Sequence, residues 1–151
     1  MRTYSVVVAK VINARPEHVY RLVSDMNHHR NFLPKEFEKL EIVKGGIGAG
    51  TVTRAHMNAM GSKVVYTLTV TEPEPGRVMR ETDNEAGVDT FWTFTPVEGG
   101  TRCHLHLETK FRPKPGFMGL LERLLTPLIR GVYSRELDLL DAYAQKTPIA
   151  S

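Results

Sequence analysis

Residues 101–111 (TRCHLHLETKF) alternate between apolar and polar side chains, and this alternation constrains the fold more than any other feature of the sequence. Successive side chains of a β-strand point to opposite faces of its sheet. The segment therefore predicts a strand with two unlike faces: one carries Cys103, Leu105, Leu107 and Phe111, and the other carries Arg102, His104, His106, Glu108 and Lys110. A sheet with one apolar face needs a layer that covers this face. The amphipathic C-terminal segment 116–143 is the only one large enough to do so.

Six further segments have the composition of β-strands and are bounded by turn residues. They span 3–12, 37–44, 51–60, 63–72, 77–83 and 88–96. From residue 37 onward the loops between strands are short, and short loops join antiparallel neighbours, whereas parallel neighbours need long crossovers. After the first strand, Pro16 suits the first position of a helix, and a second short helix or turn is expected near 27–33. The prediction is an α+β fold with a seven-stranded antiparallel sheet.

The C-terminal segment has an apolar stripe at helical spacing, formed by Phe117, Leu120, Leu121, Leu124, Leu125 and Leu128 and continued by Ile129, Tyr133, Leu137, Leu140 and Ala144. Pro127 falls on the opposite, polar stripe. A proline there frees a carbonyl that faces water, so one long helix could bend at this point around a curved sheet. Alternatively, Thr126 caps a new helix with Pro127 at its first position. The sequence leaves both arrangements open.

The charge of the chain is unevenly distributed. The net charge is +3, yet residues 110–135 hold six basic side chains and one acidic side chain. Nucleic-acid binding would also need exposed aromatic side chains or a recognition motif, and because neither is present, no nucleic-acid partner is expected. No segment approaches the roughly 20 apolar residues of a membrane-spanning helix. With one cysteine and no signal peptide, we expect a cytoplasmic protein of one domain (1–151) in which 146–151 form a disordered tail.

Several motifs, in this order, resemble the START-like (SRPBCC) superfamily, specifically its branch of bacterial polyketide cyclases/dehydrases and lipid-transport proteins. The motifs are residues 14–20 (ARPEHVY), 32–34 (FLP), 48–51 (GAGT), 72–78 (EPEPGRV), 99–102 (GGTR) and 119–128 (GLLERLLTPL). The resemblance covers nearly the whole chain and implies the helix-grip fold, in which a seven-stranded sheet curls around a long C-terminal helix. It also implies an apolar cavity between them for a small hydrophobic ligand. Because these motifs are turns and packing positions, they do not specify a reaction.

Either face of the strand 51–60 could line this cavity. If Val52 faces inward, so do Arg54 and His56, and these could polarise a carbonyl or move a proton inside an apolar cavity. The other, more ordinary arrangement places Thr51, Thr53, Ala55 and Met57 inward. Arg54 and His56 are the candidate catalytic residues. The candidate ligand-binding residues are Arg54, His56, Tyr66, Trp92, Leu121, Leu125, Leu128 and Tyr133.

The other histidines receive structural interpretations. His104 and His106 share a strand face with charged residues, so solvent rather than a metal ion is expected around them. His28 and His29 lie in a polar turn and are also expected to be exposed. No metal site is predicted.

Two acids, one thiol and one loop complete the candidates. Glu81 and Asp89 are the acids whose burial would matter most, although exposure is expected for both. Cys103 is expected to be a small core residue rather than a nucleophile. The glycine-rich loop GGIGAG (45–50) precedes a strand and not a helix, so it predicts a hairpin loop rather than a phosphate site.

These patterns favour a protein that binds a small hydrophobic molecule, such as a lipid, a quinone or a polyketide-like compound, without a cofactor. In one alternative, the same cavity serves a cofactor-free cyclase or dehydratase, with His56 as acid or base and Arg54 as the oxyanion partner. In another, the basic C-terminal helix makes transient contact with a membrane surface or a partner protein. The sequence decides neither whether the chain is an enzyme nor its oligomeric state.

Overall fold

The computed structural model describes residues 3–59 and 61–148, with all side chains in these ranges except those of Ala59, Met118, Leu121 and Glu122. Within these ranges the strands are β1 (Tyr4–Ile12), β2 (Phe37–Lys44), β3 (Val52–Ala59), β4 (Ser62–Glu74), β5 (Val78–Asp83), β6 (Val88–Val97) and β7 (Arg102–Phe111). The helices are α1 (Pro16–Ser24), α2 (Met26–His29), α3 (Gly116–Leu124) and α4 (Thr126–Lys146).

The seven strands form one antiparallel sheet in the order β1-β7-β6-β5-β4-β3-β2. Strands β2 to β7 each lie beside their neighbours in sequence, because the loops between them are too short for a crossover. Strand β1 joins the far edge beside β7, with Tyr4 opposite Phe111 and Ile12 opposite Cys103. The predicted sheet is therefore confirmed, and with its C-terminal helix it has the helix-grip arrangement that the resemblance implies.

One face of the sheet is buried against α1, α2 and α4. Leu105 and Leu107 of β7 are at most 1% exposed, and they share a core with Leu22 of α1 and Leu137 of α4. On the opposite face of β7, His104 is half-exposed. The alternation predicted for this strand is therefore confirmed, and it places the core between the sheet and the helices.

The pairing of the sheet is irregular near its β2 edge. The register of β2 with β3 shifts between Phe37 and Lys39 and again between Ile42 and Lys44. The register of β4 with β5 shifts after Thr71. Irregularities of this kind bend a strand and increase its twist, so this part of the sheet curves, and space is left between it and α4.

The C-terminal segment contains two helices and not one bent helix. Helix α3 ends at Leu124, α4 begins at Thr126, and Pro127 lies in the first turn of α4, where its missing N–H removes no helical hydrogen bond. The break therefore matches the second of the two arrangements, but Leu125 and not Thr126 occupies the capping position. No helix in the described ranges is long and apolar enough to cross a membrane.

The glycine-rich segment 45–50 is the loop between β2 and β3, as predicted. The Gly46 carbonyl accepts a hydrogen bond of 2.8 Å from the amide of Met26, and the Gly48 amide donates to the carbonyl of Ser24 at 3.0 Å. Gly48 has a φ of +68°, and a Cβ at this position would lie 2.8 Å from the carboxylate of Glu72. The glycines therefore let the loop approach both the α1–α2 corner and β4.

Candidate functional site

A cavity of about 230 Å³ lies between the inward face of the sheet and the C-terminal helices. Its wall is mostly apolar: the sheet contributes Leu68, Trp92 and Leu107, among others, and the helical side contributes Leu125, Leu128 and Tyr133. The curved sheet supplies one wall because its apolar face points inward. The break before α4 places Leu125 and Leu128 over the opposite side.

Five of the eight predicted ligand-binding residues line this cavity: Tyr66, Trp92, Leu125, Leu128 and Tyr133. The side chain of a sixth, Leu121, is outside the described part of the chain. That the five contact a ligand stays a prediction, since their position in the wall establishes only that they are able to do so.

The placement of Arg54 and His56 in the cavity is wrong. Strand β3 turns its other face inward, so that Thr51, Thr53 and Ala55 are at most 2% exposed. Arg54 is exposed on the outer face of the sheet. This orientation of β3 is favoured because small and apolar side chains then face the core, while the guanidinium of Arg54 stays in water.

His56 pairs with a glutamate on the outer surface instead of facing the cavity. Its Nε2 lies 2.5 Å from a carboxylate oxygen of Glu41 on the neighbouring strand β2, and the two side chains are about one-third exposed (31% and 35%). This hydrogen bond lowers the pKa of Glu41. The pair belongs to the outer surface, and neither His56 nor Arg54 can act on a molecule in the cavity.

The polar part of the cavity wall is formed instead by His29, Glu81 and Glu136. These side chains are 4%, 7% and 3% exposed, respectively. The expected exposure of His29 and Glu81 is therefore wrong. His29 is drawn inside because α2 packs against the core, where its ring stacks on Phe32 with the ring centres 4.8 Å apart.

Hydrogen bonds hold this polar group in place. His29 donates from Nδ1 to the carbonyl of Val23 at 2.8 Å, and its Nε2 lies 3.1 Å from Oε2 of Glu136. The indole of Trp92 donates to Oε1 of Glu81 at 2.7 Å. Because a carbonyl can only accept, Nδ1 carries a proton, and Nε2 is the nitrogen that exchanges a proton with Glu136.

Burial and charge pull the pKa values of this group in opposite directions. Burial alone would lower the pKa of His29, but the hydrogen bond with Glu136 and the charges of Glu81 and Glu136 raise it to about 9. Burial raises the pKa of Glu136, and His29 opposes part of this increase. Burial also raises the pKa of the neighbouring Tyr133. The cavity wall therefore holds a proton that His29 and Glu136 share.

Two of these residues carried a sequence signal. Glu136 lies three residues after Tyr133 and four before Leu140, which places it on the apolar side of the helix. Glu81 lies two residues after Met79, on the same strand face. His29 gave no comparable signal, because α2 has only four residues and a polar sequence.

The remaining candidates lie away from the polar group. Cys103 is a buried core residue, and burial raises the pKa of its thiol to about 11. Asp89 is half-exposed, as its position on the outer face requires, and accepts two hydrogen bonds from Arg80, at 2.7 and 2.8 Å. His28 is half-buried, with its Nδ1 2.7 Å from the Tyr143 hydroxyl, so full exposure is wrong for it too.

Solved structures with the same fold include proteins of different activity. A protein from Thermus thermophilus is 28% identical, with a TM-score of 0.68 over 94% of this chain and 97% of its own. The Zhui aromatase/cyclase from a Streptomyces species is 18% identical, with a TM-score of 0.74 over 96% and 95% of the two chains. Norcoclaurine synthase from Thalictrum flavum, in complex with dopamine and hydroxybenzaldehyde, is 18% identical, with a TM-score of 0.70 over 99% and 90%.

The sequence itself identifies the family. No curated protein matches the chain in sequence. However, the model of the family described as polyketide cyclase / dehydrase and lipid transport matches residues 3–145, which include the whole sheet and nearly all of α4. The chain therefore belongs to the polyketide cyclase/dehydrase and lipid-transport family, within the START-like superfamily.

Proposed function

We propose that the protein binds a small hydrophobic molecule, of lipid, quinone or polyketide-like type, in the cavity between the sheet and α4. The observation that carries the proposal is the cavity of about 230 Å³, whose wall is mostly apolar and aromatic. Protein interiors are normally close-packed and contain few voids larger than a water molecule, and apolar cavities of this kind accommodate apolar ligands. Membership of a family that includes lipid carriers and cyclases supports the same function.

The experiment compares two alanine-to-leucine variants. Ala55 lies in the cavity wall, so Ala55→Leu fills part of the cavity, whereas Ala9 is exposed on the outer face of β1, and Ala9→Leu adds the same atoms outside. Each protein is incubated with a cell extract, repurified without denaturation and analysed by native mass spectrometry. We expect a small apolar molecule on the wild type and on Ala9→Leu, and much less on Ala55→Leu. A wild type without any bound molecule, or equal loading of all three proteins, contradicts the proposal.

The enzymatic alternative depended on Arg54 and His56, and both lie outside the cavity. Binding is therefore the function that the cavity supports better.

A second function, contact with a membrane surface, is supported by the exposed side of α3. Phe117, Leu120 and Leu124 are 75%, 57% and 68% exposed, respectively, and their spacing places them on one side of the helix. Arg123 lies in the last turn of the same helix, with its guanidinium over the ring of Tyr4. Exposed apolar side chains with nearby basic ones are typical of helices that lie on an anionic lipid surface. Loading a ligand from such a surface is compatible with the cavity.

Vesicle flotation tests this second function. We expect the protein to float with vesicles of phosphatidylcholine and phosphatidylserine and to dissociate as salt is added, because the attraction is partly electrostatic. Phe117→Ser combined with Leu124→Ser should abolish binding. Ile47→Ser is the control, since Ile47 is also 68% exposed but lies in the loop before β3. Absence of binding to the anionic vesicles, or an equal loss of binding in Ile47→Ser, would contradict this second function.

A further inference from the structure

Three ionisable side chains from three elements meet in one part of the cavity wall. His29 comes from α2, Glu81 from β5 and Glu136 from α4, and each is more than nine-tenths buried. We call these three residues the polar wall. Buried carboxylates cost free energy unless each meets a hydrogen-bond donor or a positive charge. The partners of each carboxylate therefore indicate whether the site is complete without a ligand.

His29 can satisfy only one of the two carboxylates. Its Nδ1 proton is donated to the carbonyl of Val23 at 2.8 Å. Its other nitrogen, Nε2, lies 3.1 Å from Oε2 of Glu136. An imidazolium has two N–H donors, and both are therefore in use. No donor of His29 is left for Glu81.

Glu81 keeps one carboxylate oxygen without a donor. Its Oε1 accepts the hydrogen bond of 2.7 Å from the indole of Trp92. No described residue donates a hydrogen bond to Oε2, and Glu81 forms no ion pair with the described residues. The side chain is only 7% exposed and lines the cavity. The wall thus presents a buried acceptor oxygen to whatever occupies the cavity, and its two carboxylates, Glu81 and Glu136, share the charge of one imidazolium, that of His29.

We propose that the polar wall recognises an amine: the ligand is a mostly apolar molecule with a protonated nitrogen that donates to Oε2 of Glu81. This inference rests on the proposed function and names the class of ligand. The nitrogen supplies the missing donor and a second positive charge for the two carboxylates, while the apolar body of the ligand packs against Leu68, Leu107 and Leu128.

The head group of the ligand follows from charge. A hydroxyl group can donate to Glu81 but adds no positive charge, so the two carboxylates still share one imidazolium in an apolar cavity, where an unbalanced charge costs free energy. A carboxylate head group would place a further negative charge beside Glu81 and Glu136. Both an alcohol and an amine would donate to the charged carboxylate of Glu81, but the amine adds its own positive charge, which is worth roughly a factor of ten in affinity. The expected order of affinity is amine, then alcohol, then carboxylate.

Three probes with the same apolar body test this order: 4-phenylbutylamine, 4-phenyl-1-butanol and 4-phenylbutyrate. Each is titrated into the full chain at pH 7 by isothermal titration calorimetry. We expect the amine to bind about tenfold more tightly than the alcohol, and the carboxylate to bind most weakly. This comparison uses only the wild-type protein, so it does not depend on the folding of any variant.

A matched pair of variants then tests the role of Glu81. Glu81→Gln keeps a carbonyl oxygen for the Trp92 indole but removes the charge, so it should lower amine affinity to that of the alcohol. Glu108→Gln changes a half-exposed glutamate on the outer face of β7 and should keep the preference for the amine.

The outcomes separate this inference from the proposed function. If the alcohol binds as tightly as the amine, or if Glu81→Gln keeps the preference, the inference is overturned and the cavity remains a hydrophobic binding site. If no probe binds and no apolar molecule copurifies with the protein, both proposals are overturned.

Discussion

The pair formed by His29 and Glu136 connects the chemistry of the cavity to the stability of the fold. The pKa of His29 is raised to about 9, whereas an unfolded histidine has a pKa of about 6.5. The folded state therefore binds this proton more tightly than the unfolded state. Its contribution to stability is complete below about pH 6.5 and is lost as the pH rises through about 9. The raised pKa of Glu136 acts in the same direction.

The free energy of unfolding should fall by an amount on the order of 3 kcal/mol between about pH 6.5 and pH 9.5. Urea denaturation at a series of pH values measures this decrease. His29→Gln should flatten the profile, because the group that takes up the proton is gone. His104→Gln, on the outer face, should leave the slope unchanged. A profile of His29→Gln parallel to that of the wild type would show that another group is responsible.

Two buried threonines, one just before β3 and one on its inward face, offer a second comparison at the scale of single residues. Thr51 and Thr53 are both fully buried. The hydroxyl oxygen of Thr51 accepts a hydrogen bond of 3.1 Å from the amide of Gly46, whereas the hydroxyl of Thr53 has no partner among the described residues. A buried polar group without a partner costs free energy that an apolar group of equal shape does not.

Thr53→Val should therefore raise the free energy of unfolding by about 1 kcal/mol, and Thr51→Val should lower it by about 1 kcal/mol. Urea denaturation of the two variants beside the wild type measures both changes. The opposite signs are the essential result, because valine has nearly the same shape as threonine at either position. Destabilisation by Thr53→Val would mean that its hydroxyl has a partner, such as a bound water.

Single residues also show which parts of the cavity wall could be predicted from the sequence. Tyr66 and Trp92 were placed in the wall correctly, because strong alternation on β4 and β6 fixes which side chains face inward. On β3 both faces mix polar and apolar residues, so alternation could not exclude Arg54 and His56. Glu136 was missed because buried glutamates are rare, and tertiary contact with His29 outweighs that preference.

At the scale of elements, the break between α3 and α4 shows what Pro127 contributes. The proline lies in the first turn of α4, where helices tolerate it. It therefore marks the start of α4 and does not strain the helix. The sequence predicted the elements well because turn residues separate the strands and because helical spacing is regular. It could not decide between a bend and a break, since both place Pro127 on the polar side.

Pro127→Ala should change the free energy of unfolding by less than about 0.5 kcal/mol, because no helical hydrogen bond is gained or lost at this position. Ser134→Pro is the matched comparison. Ser134 is exposed in the middle of α4, and a proline there should cost about 3 kcal/mol or more. Thermal unfolding followed by circular dichroism measures both variants. Equal effects of the two changes would be inconsistent with a helix boundary at residue 126.

At the scale of the whole molecule, the two edges of the sheet are protected to different degrees. Strand β1 is covered by α4: Lys10 pairs with Asp138 at 3.2 Å, and the backbone amide of Asn13 donates to Asp141 at 2.8 Å. Val6 and Ile12 of β1 are fully buried. Strand β2, at the other edge, has no buried residue. The sheet should therefore open from its β2 edge.

Hydrogen–deuterium exchange measured by mass spectrometry tests this difference. Amides of β2 that pair with β3 should exchange at least about tenfold faster than amides of β1 that pair with β7. Comparing the two edges with each other controls for the general exposure of edge strands. Equal protection of β1 and β2 would mean that α4 contributes little to the stability of its edge.

The order of the strands also affects how the chain folds as it is synthesised. Each strand from β3 to β7 can pair with the strand made just before it. Strand β1 is made first but pairs with β7, so Tyr4 can reach its partner Phe111 only after all seven strands have been made. Contacts between residues so far apart in the chain form slowly. The joining of β1 and the docking of α4 are thus late steps of folding. Until they occur, the apolar face of the growing sheet is open to chaperones, and this interval is when mutations in β1 would cause misfolding.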